Sequence, residues 1–227
     1  MKVFAISTPA KYVSLSMADI SEDNGSVRQN VIADFSSFGA RSEDLTLLAE
    51  QAFKVSKTDI REAELISVVR GPGSYSGLRG GLAAAKSLSQ VMEVPIIGVS
   101  ALETVAVGLS HLEGTLAVVL DAVKDEYNFA LFGMSKQKIS RLSEDKVISR
   151  DNLGIFLGKF EGHIYVASPF DDLRDISGNP AILHIKTFPR ALDAGILGFK
   201  EYIHGKKDDC ISMVPDYSHT PKLKEYR

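Results

Sequence analysis

The distribution of apolar and polar positions divides the first third of the chain into three short strands and a helix. The apolar runs Lys2 to Ile6 and Tyr12 to Met17 are separated by Ser7, Thr8, Pro9 and Ala10, and Val27 to Phe35 follows the turn residues Asp23, Asn24 and Gly25. A small antiparallel sheet is expected. Leu45, Leu48, Ala49, Ala52 and Phe53 then recur at helical spacing, with Ser42 as the expected cap and Glu43 and Asp44 in the first turn. Leu47 and Val55 fall off this stripe and are expected to be exposed.

Leu65, Ile66, Val68 and Val69 form a β-branched-rich run that Gly71, Pro72 and Gly73 stop. Beyond it Leu78, Leu82, Ala85, Leu88 and Met92 mark a helix, which Val94 and Pro95 end before Ile96 and Ile97 begin another strand. Ser100 and Glu103 read as a capping box for a helix to Leu109. Ser110 to Gly114 is the expected boundary between two lobes, 1–109 and 110–227. In the second lobe Leu116 to Leu120, Glu126 to Phe132 and Ile164 to Ala167 read as strands, and the alternating Lys138 to Ile148 extends their sheet. Asn152 to Phe160 and Arg190 to His204 read as helices, and Ser168 to Asn179 as a loop.

The unit from Leu65 to Gly98 is therefore strand, glycine turn, helix, strand, and the turn directs backbone N–H groups toward the helix N-terminus. Gly71, Gly73, Ser74 and Gly77 are the candidate nucleotide-lining residues. Their spacing is not the dinucleotide fingerprint, and no Lys-Ser or Lys-Thr pair follows as in a P-loop. A tight turn without a ligand is the other reading. The helix carries Gly77, Gly81 and Ala85 on one stripe, although an interior glycine costs about 1 kcal/mol relative to alanine. Small residues there let another backbone approach, either within the chain or in another subunit.

At 227 residues, 44% hydrophobic and 24% charged, the composition is that of an ordinary globular protein. A net charge of -3 supplies no bulk field for holding RNA, so a nucleic-acid contact has to be local or made by a partner. The single cysteine, Cys210, and the lack of a long apolar run are expected of a cytoplasmic protein with no membrane contact. The histidines His111, His163, His184, His204 and His219 lie at least fifteen residues apart, which rules against a helical metal motif. No serine of GPGSYSG sits in a nucleophile elbow. Asp121, Asp125 and Glu126 cluster at a hairpin, where acids are ordinarily solvated.

The stretch GPGSYSGLRGGLAAAKSLSQVMEVPIIGVSALETVA resembles the signature of the TsaB (YeaZ-type) family, GPGSFTGLRIG followed by a helix and a GVSSLE-like segment. The resemblance extends more loosely to VFAISTPAKYVSLSM, RSEDLTLLAEQAF, DAVKDEYNFALF and the tail VPDY, so it covers most of the chain. It implies an α/β, actin-like or sugar-kinase-like ATPase fold of two lobes, each a mixed sheet with packed helices. Several positions depart from the family: Ser7 stands at the aspartate of its I-D-T element, Arg41 at a frequent histidine, Val123 at the arginine of Asp-Ala-Arg, and His219 at the tail arginine.

The resemblance further implies a non-catalytic subunit without a cofactor. Such a subunit pairs with a catalytic TsaD-type paralogue and helps recruit a TsaE-type ATPase, and the assembly threonylcarbamoylates the adenosine beside the tRNA anticodon. tRNA would be met only through that complex. Leu45, Leu48, Gly77, Gly81 and Ala85 are the expected interface, with a homodimer through the same helices as the other pairing. A nucleotide-dependent phosphotransferase of the same superfamily is the alternative function, and it is weakened because Ser7 cannot supply a carboxylate to a metal-bound phosphate.

Overall fold

The computed structural model describes residues 1–170, 173 and 178–218, apart from the side chain of residue 42. Part of the expected loop 168–179 lies outside the described residues, as do His219 and the basic positions Lys222, Lys224 and Arg227 of the tail.

The first sheet has the order β3-β2-β1-β4-β5. Its strands are β1 (Lys2–Ser7), β2 (Tyr12–Asp23), β3 (Ser26–Phe38), β4 (Leu65–Gly71) and β5 (Ile96–Ser100). β1, β2 and β3 pair antiparallel as expected, while β4 runs parallel to both β1 and β5. The hairpin of β2 and β3 is longer than expected and carries a bulge at Met17/Ala18. The second sheet has the order β11-β10-β6-β7-β8, with β9 also on β7. It comprises β6 (Gly114–Asp121), β7 (Glu126–Ser135), β8 (Lys138–Arg141), β9 (Lys146–Ser149), β10 (Ile164–Ser168) and β11 (Ile182–Lys186).

Two details of this sheet differ from the sequence reading. The alternating segment 138–148 is split into β8 and β9, which pair with successive parts of β7. The edge strand β11 was not anticipated; Leu183 is 46% exposed, so the strand lacks the apolar run of a buried one.

Among the described residues five α-helices complete the fold: α1 (Leu45–Ser56), α2 (Tyr75–Met92), α3 (Ala101–Gly108), α4 (Arg150–Gly158) and α5 (Ala191–Ile203). α1 and α2 cover one face of the first sheet, where Leu45, Phe53, Leu82 and Ala85 meet Phe4, Ile6, Ile66 and Val68. α3 and α5 lie between the two sheets in a shared core that runs from Val3, Leu65 and Ile97 to Leu116, Val118 and Phe132. α4 closes the far side of the second sheet over Val119, Phe129 and Val166.

The caps differ in part from expectation. α1 starts after a 3-10 turn at Ser42–Asp44, and its N-cap is Asp44, whose carboxylate accepts from the Arg41 backbone N–H at 2.9 Å. Ser100 caps α3 through the Glu103 N–H at 3.3 Å, but the Glu103 carboxylate is drawn to Arg141 on β8 at 3.1 Å. That ion pair ties α3 to the second sheet.

The small stripe of α2 is occupied within the chain. Gly77 and Gly81 face Thr8, in the connection between β1 and β2: a Cβ at Gly77 would overlap the Thr8 carbonyl oxygen, and one at Gly81 the Thr8 hydroxyl. Thr8 Oγ1 donates to the Gly77 carbonyl at 2.7 Å, and the Ser74 N–H donates to the Pro9 carbonyl at 2.7 Å. The approach that the glycines permit is therefore that of a turn, not of a second helix.

α5 is held just as closely. Ser7 Oγ donates to the Pro189 carbonyl at 2.6 Å, Ser67 Oγ donates to the Ala194 carbonyl at 2.7 Å, and Ser14 Oγ accepts from the Ala191 N–H at 3.0 Å. Arg190 donates from Nε and Nη2 to the buried Asp193 at 2.8 and 3.2 Å. Burial pushes the Asp193 carboxyl above the ordinary carboxylate range, and Arg190 restrains the rise. Burial also raises Asp34 on β3, again against the pull of Arg190.

Two outcomes follow from this packing. Gly81→Leu should lower stability by about 3 kcal/mol, or roughly 6 to 12 °C in a calorimetric melt, whereas Ala83→Leu on the exposed face of α2 should change it by less than about 1 kcal/mol. The pH dependence has a definite sign: a carboxyl raised by folding contributes stability below about pH 4, and that contribution is lost as pH rises through the raised value. Urea titrations should therefore find wild type losing stability relative to Asp193→Asn as pH rises above about 4.

Candidate functional site

A cavity of about 680 Å³ opens between the ends of the two sheets. From the first sheet's side it is lined by Pro9 to Tyr12, Phe38, Gly73 to Tyr75, Tyr217 and Ser218, and from the second's by Asp121 to Val123, Pro169, Phe170 and Lys186. Its volume is that of a small-molecule site, and a mostly apolar lining with a few polar groups is usual for one.

Each aromatic wall is braced from behind. Tyr12 stacks on Phe188, with centroids 3.9 Å apart and planes 3° from parallel, and meets Phe38 at 5.0 Å. Tyr75 stacks on Tyr217 at 4.9 Å, with the Arg79 guanidinium 4.0 Å above the Tyr75 ring and Arg79 Nε donating to the Tyr217 hydroxyl at 2.8 Å. Phe170 meets Tyr127 edge-on at 5.4 Å. Lys11 is exposed at the rim.

Tyr217 reaches this wall because the end of the chain runs as a strap along the first sheet and α2. Lys86 Nζ donates to the Ile211 and Met213 carbonyls at 2.9 and 3.2 Å. The Asp216 N–H donates to the Arg70 carbonyl at 2.8 Å, and its carboxylate accepts from Arg70 Nε at 2.8 Å. The tail motif VPDY is thus a structural clamp on the glycine turn.

Of the candidate turn residues, Gly73 and Ser74 line the cavity. Gly71, at φ 147°, faces the Asp216 carbonyl, and Gly77 faces Thr8, so both serve backbone packing. The Ser74 hydroxyl caps α2 by accepting from the Gly77 N–H at 3.4 Å. The sequence singled out the turn but not the aromatic walls, whose members are dispersed at positions 12, 38, 75, 170 and 217. A signal was present in Tyr75 inside the quoted signature and Tyr217 inside the tail.

The expected interface residues take other positions. Leu45 is 4% exposed and Ala85 0%, both in the core beneath α1 and α2, and Gly81 is buried against Thr8. Leu48 is half-buried against the same core. The surface of these helices instead presents Leu47 at 56%, Val55 at 84% and Val91 at 83% exposure. Arg41 is exposed, and its guanidinium lies 3.9 Å from the Glu43 carboxylate.

The acidic residues at the β6–β7 turn are distributed along the hairpin. Asp121 ends β6 and lines the cavity, Glu126 begins β7, and the Asp125 carbonyl accepts from the Arg150 N–H at 2.9 Å. Val123 is 53% exposed at the cavity edge. His184 Nε2 lies 2.8 Å from Ser168 Oγ, and His204 Nδ1 2.7 Å from the Lys200 carbonyl. Among the described residues no three His, Cys, Asp or Glu side chains converge in a group that could hold a metal ion.

The family model for TsaD, the tRNA N6-adenosine threonylcarbamoyltransferase, matches residues 39–155. The tRNA threonylcarbamoyladenosine biosynthesis protein TsaB of Bacillus subtilis is 28% identical over 96% of this chain and 93% of its own length. A tRNA N6-adenosine threonylcarbamoyltransferase of Thermodesulfovibrio yellowstonii is 36% identical, but over only 36% of this chain and 22% of its own length. YeaZ from Pseudomonas aeruginosa superposes with a TM-score of 0.74 at 16% identity, covering 95% of this chain and 99% of that one. This likeness and the two mixed sheets give the actin-like, sugar-kinase-like two-lobed α/β fold. The family model covers more than half of the 227 residues, and the chain belongs to the TsaD family of threonylcarbamoyladenosine proteins, in its TsaB (YeaZ-type) branch.

Proposed function

We propose that this chain acts in threonylcarbamoyladenosine modification of tRNA as the non-catalytic partner of a TsaD-type transferase. The observation that carries this reading is one of extent: a TsaB protein aligns with 96% of the chain and 93% of its own length, whereas two transferase relatives align over 22% and 52% of theirs. The chemistry at the first turn supports it. A phosphotransferase of this fold needs a carboxylate there, and Ser7 is 1% exposed with its hydroxyl committed to the Pro189 carbonyl. Recruitment of a TsaE-type ATPase, encounter with tRNA in the assembly and a cytoplasmic location belong to the same proposal. So does the division into lobes 1–109 and 110–227, with the first carrying the partner surface.

The partner surface is best placed on the outer faces of α1 and α2, centred on Leu47, Val55 and Val91. Apolar side chains this exposed on adjacent helices gain most when a second protein covers them. The stripe of Leu45, Gly77, Gly81 and Ala85 supports this surface from beneath, and Leu48 borders it. A homodimer in the absence of the transferase would use the same faces.

The test is co-elution with the TsaD-type protein of the same genome, read by size-exclusion chromatography with light scattering. Val55→Asp and Leu47→Asp should each weaken the complex by about tenfold or more while leaving the melting temperature of the isolated chain unchanged. Undiminished pairing of both variants would overturn the assigned surface, and failure of wild type to pair would overturn the partner role. The isolated chain should also give no ATP turnover above the buffer rate; turnover that co-purifies with it and is lost on Ser74→Ala would overturn the non-catalytic reading.

A further inference from the structure

The strap that carries Tyr217 to the cavity is attached differently from the rest of the fold. Residues 206–217 form neither helix nor strand, and Met213, 6% exposed, is their only buried residue. Ile211 and Val214 are 77% and 64% exposed, so most of the strap's apolar surface gains nothing from its position. α5, which leads into the strap, instead buries Ala191, Ala194, Leu197 and Phe199.

What holds the strap is a row of polar contacts. The Asp208 carboxylate accepts from the Gly98 N–H at 2.8 Å, and Lys206 Nζ donates to the Gly98 carbonyl at 2.8 Å, both along the edge of β5. Lys86, Arg70 and Arg79 supply the bonds to Ile211, Met213, Asp216 and Tyr217 described above. The Arg70 and Asp216 side chains are 34% and 51% exposed, and ion pairs open to water in this way contribute little to stability. A segment with one buried residue and solvent-exposed hydrogen bonds opens at a lower free energy than the core it lies on. Between α5 and the strap stands Gly205, exposed at φ 93°, where a Cβ would point into open space. The chain can turn there without disturbing the helix.

We propose that the strap is a latch on the cavity: residues 206–217 swing away from β5 and α2 about Gly205 as one unit, while both sheets and α5 stay folded, and Tyr217 leaves the Tyr75 ring with them. Closed, Tyr217 is part of the cavity wall and the Asp216 carbonyl rests on Gly71. Open, the wall loses that ring and the glycine turn loses its cover, so the latch sets access to the cavity. The proposal stands apart from the pairing role and is tested on the isolated chain.

Cys210 is the single cysteine of the sequence and lies within the strap, half-buried with its Sγ 3.5 Å from the Lys86 carbonyl, so its reactivity reports the latch. The experiment is labelling of Cys210 in the full-length chain with excess iodoacetamide, followed by intact mass over urea concentrations below the unfolding transition. The logarithm of the labelling rate should rise with urea at less than about a third of the slope found for global unfolding, because releasing the strap exposes only a small part of the surface that unfolding exposes. Asp216→Asn and Tyr217→Ala, both well removed from the cysteine along the strap, should each speed labelling by about threefold or more with the slope still small. A slope equal to that of global unfolding would make the strap part of the core and overturn the proposal. Labelling indifferent to Asp216→Asn would overturn it as well, since the thiol would then react without release of the strap. Labelling that responds to Asp216→Asn but not to Tyr217→Ala would overturn the link between the strap and the cavity wall.

Discussion

The structure depends on the absence of a side chain at two positions of α2. The turn after β1 can rest on the helix because Gly77 and Gly81 leave room for Thr8, and the hydrogen bond from Thr8 to the Gly77 carbonyl fixes that contact. Once Thr8 is seated, Pro9 accepts from Ser74, and the start of α2, the glycine turn and the first strand become one rigid corner. The helix loses about 1 kcal/mol for an interior glycine, and the close contact offsets that loss. On the first sheet's side of the cavity, Pro9, Gly73 to Tyr75 and Tyr217 are positioned by this corner or by the strap that clamps it.

The same economy of volume governs α5. Three serines on β1, β2 and β4 bond the backbone at the beginning of α5 instead of covering it with bulk. Gly198 lies over Ser67, whose hydroxyl occupies the place a Cβ would need. In sequence these serines interrupt otherwise apolar strands. They read as weaknesses in the hydrophobic pattern, while in the fold they bring the helix backbone close to the sheet.

The legibility of the sequence follows from that contrast. Periodicity located β1, β2, β4, β5, α2 and α3, since each presents a whole apolar face to one neighbour. It correctly placed Leu47 and Val55 outside the stripe of α1. It could not decide what the glycines of α2 approach, because a turn and a second helix make the same steric demand. It missed β11, an edge strand with an exposed Leu183, and read β8 and β9 as one segment. The aromatic lining of the cavity was hidden for a different reason: Tyr12, Phe38, Tyr75, Phe170 and Tyr217 come from five separate positions and meet their ring partners only after the fold has formed.

The path of the chain has a consequence for how the protein comes into being. The first sheet is complete at Ser100, but the helix that covers its inner face begins at Ala191, and the strap that clamps its glycine turn reaches Asp216 later still. During synthesis at about 5 to 20 residues per second, that face waits several seconds, roughly, for its cover while the second sheet emerges. Contacts of such long sequence separation carry a loop-closure cost and slow the search. A nascent chain halted near residue 186 would hold both sheets and lack α5 between them. Loss of α5 and the strap therefore exposes the N-terminal half of the molecule, and a stretch made long after the first sheet is the one that makes that sheet stable.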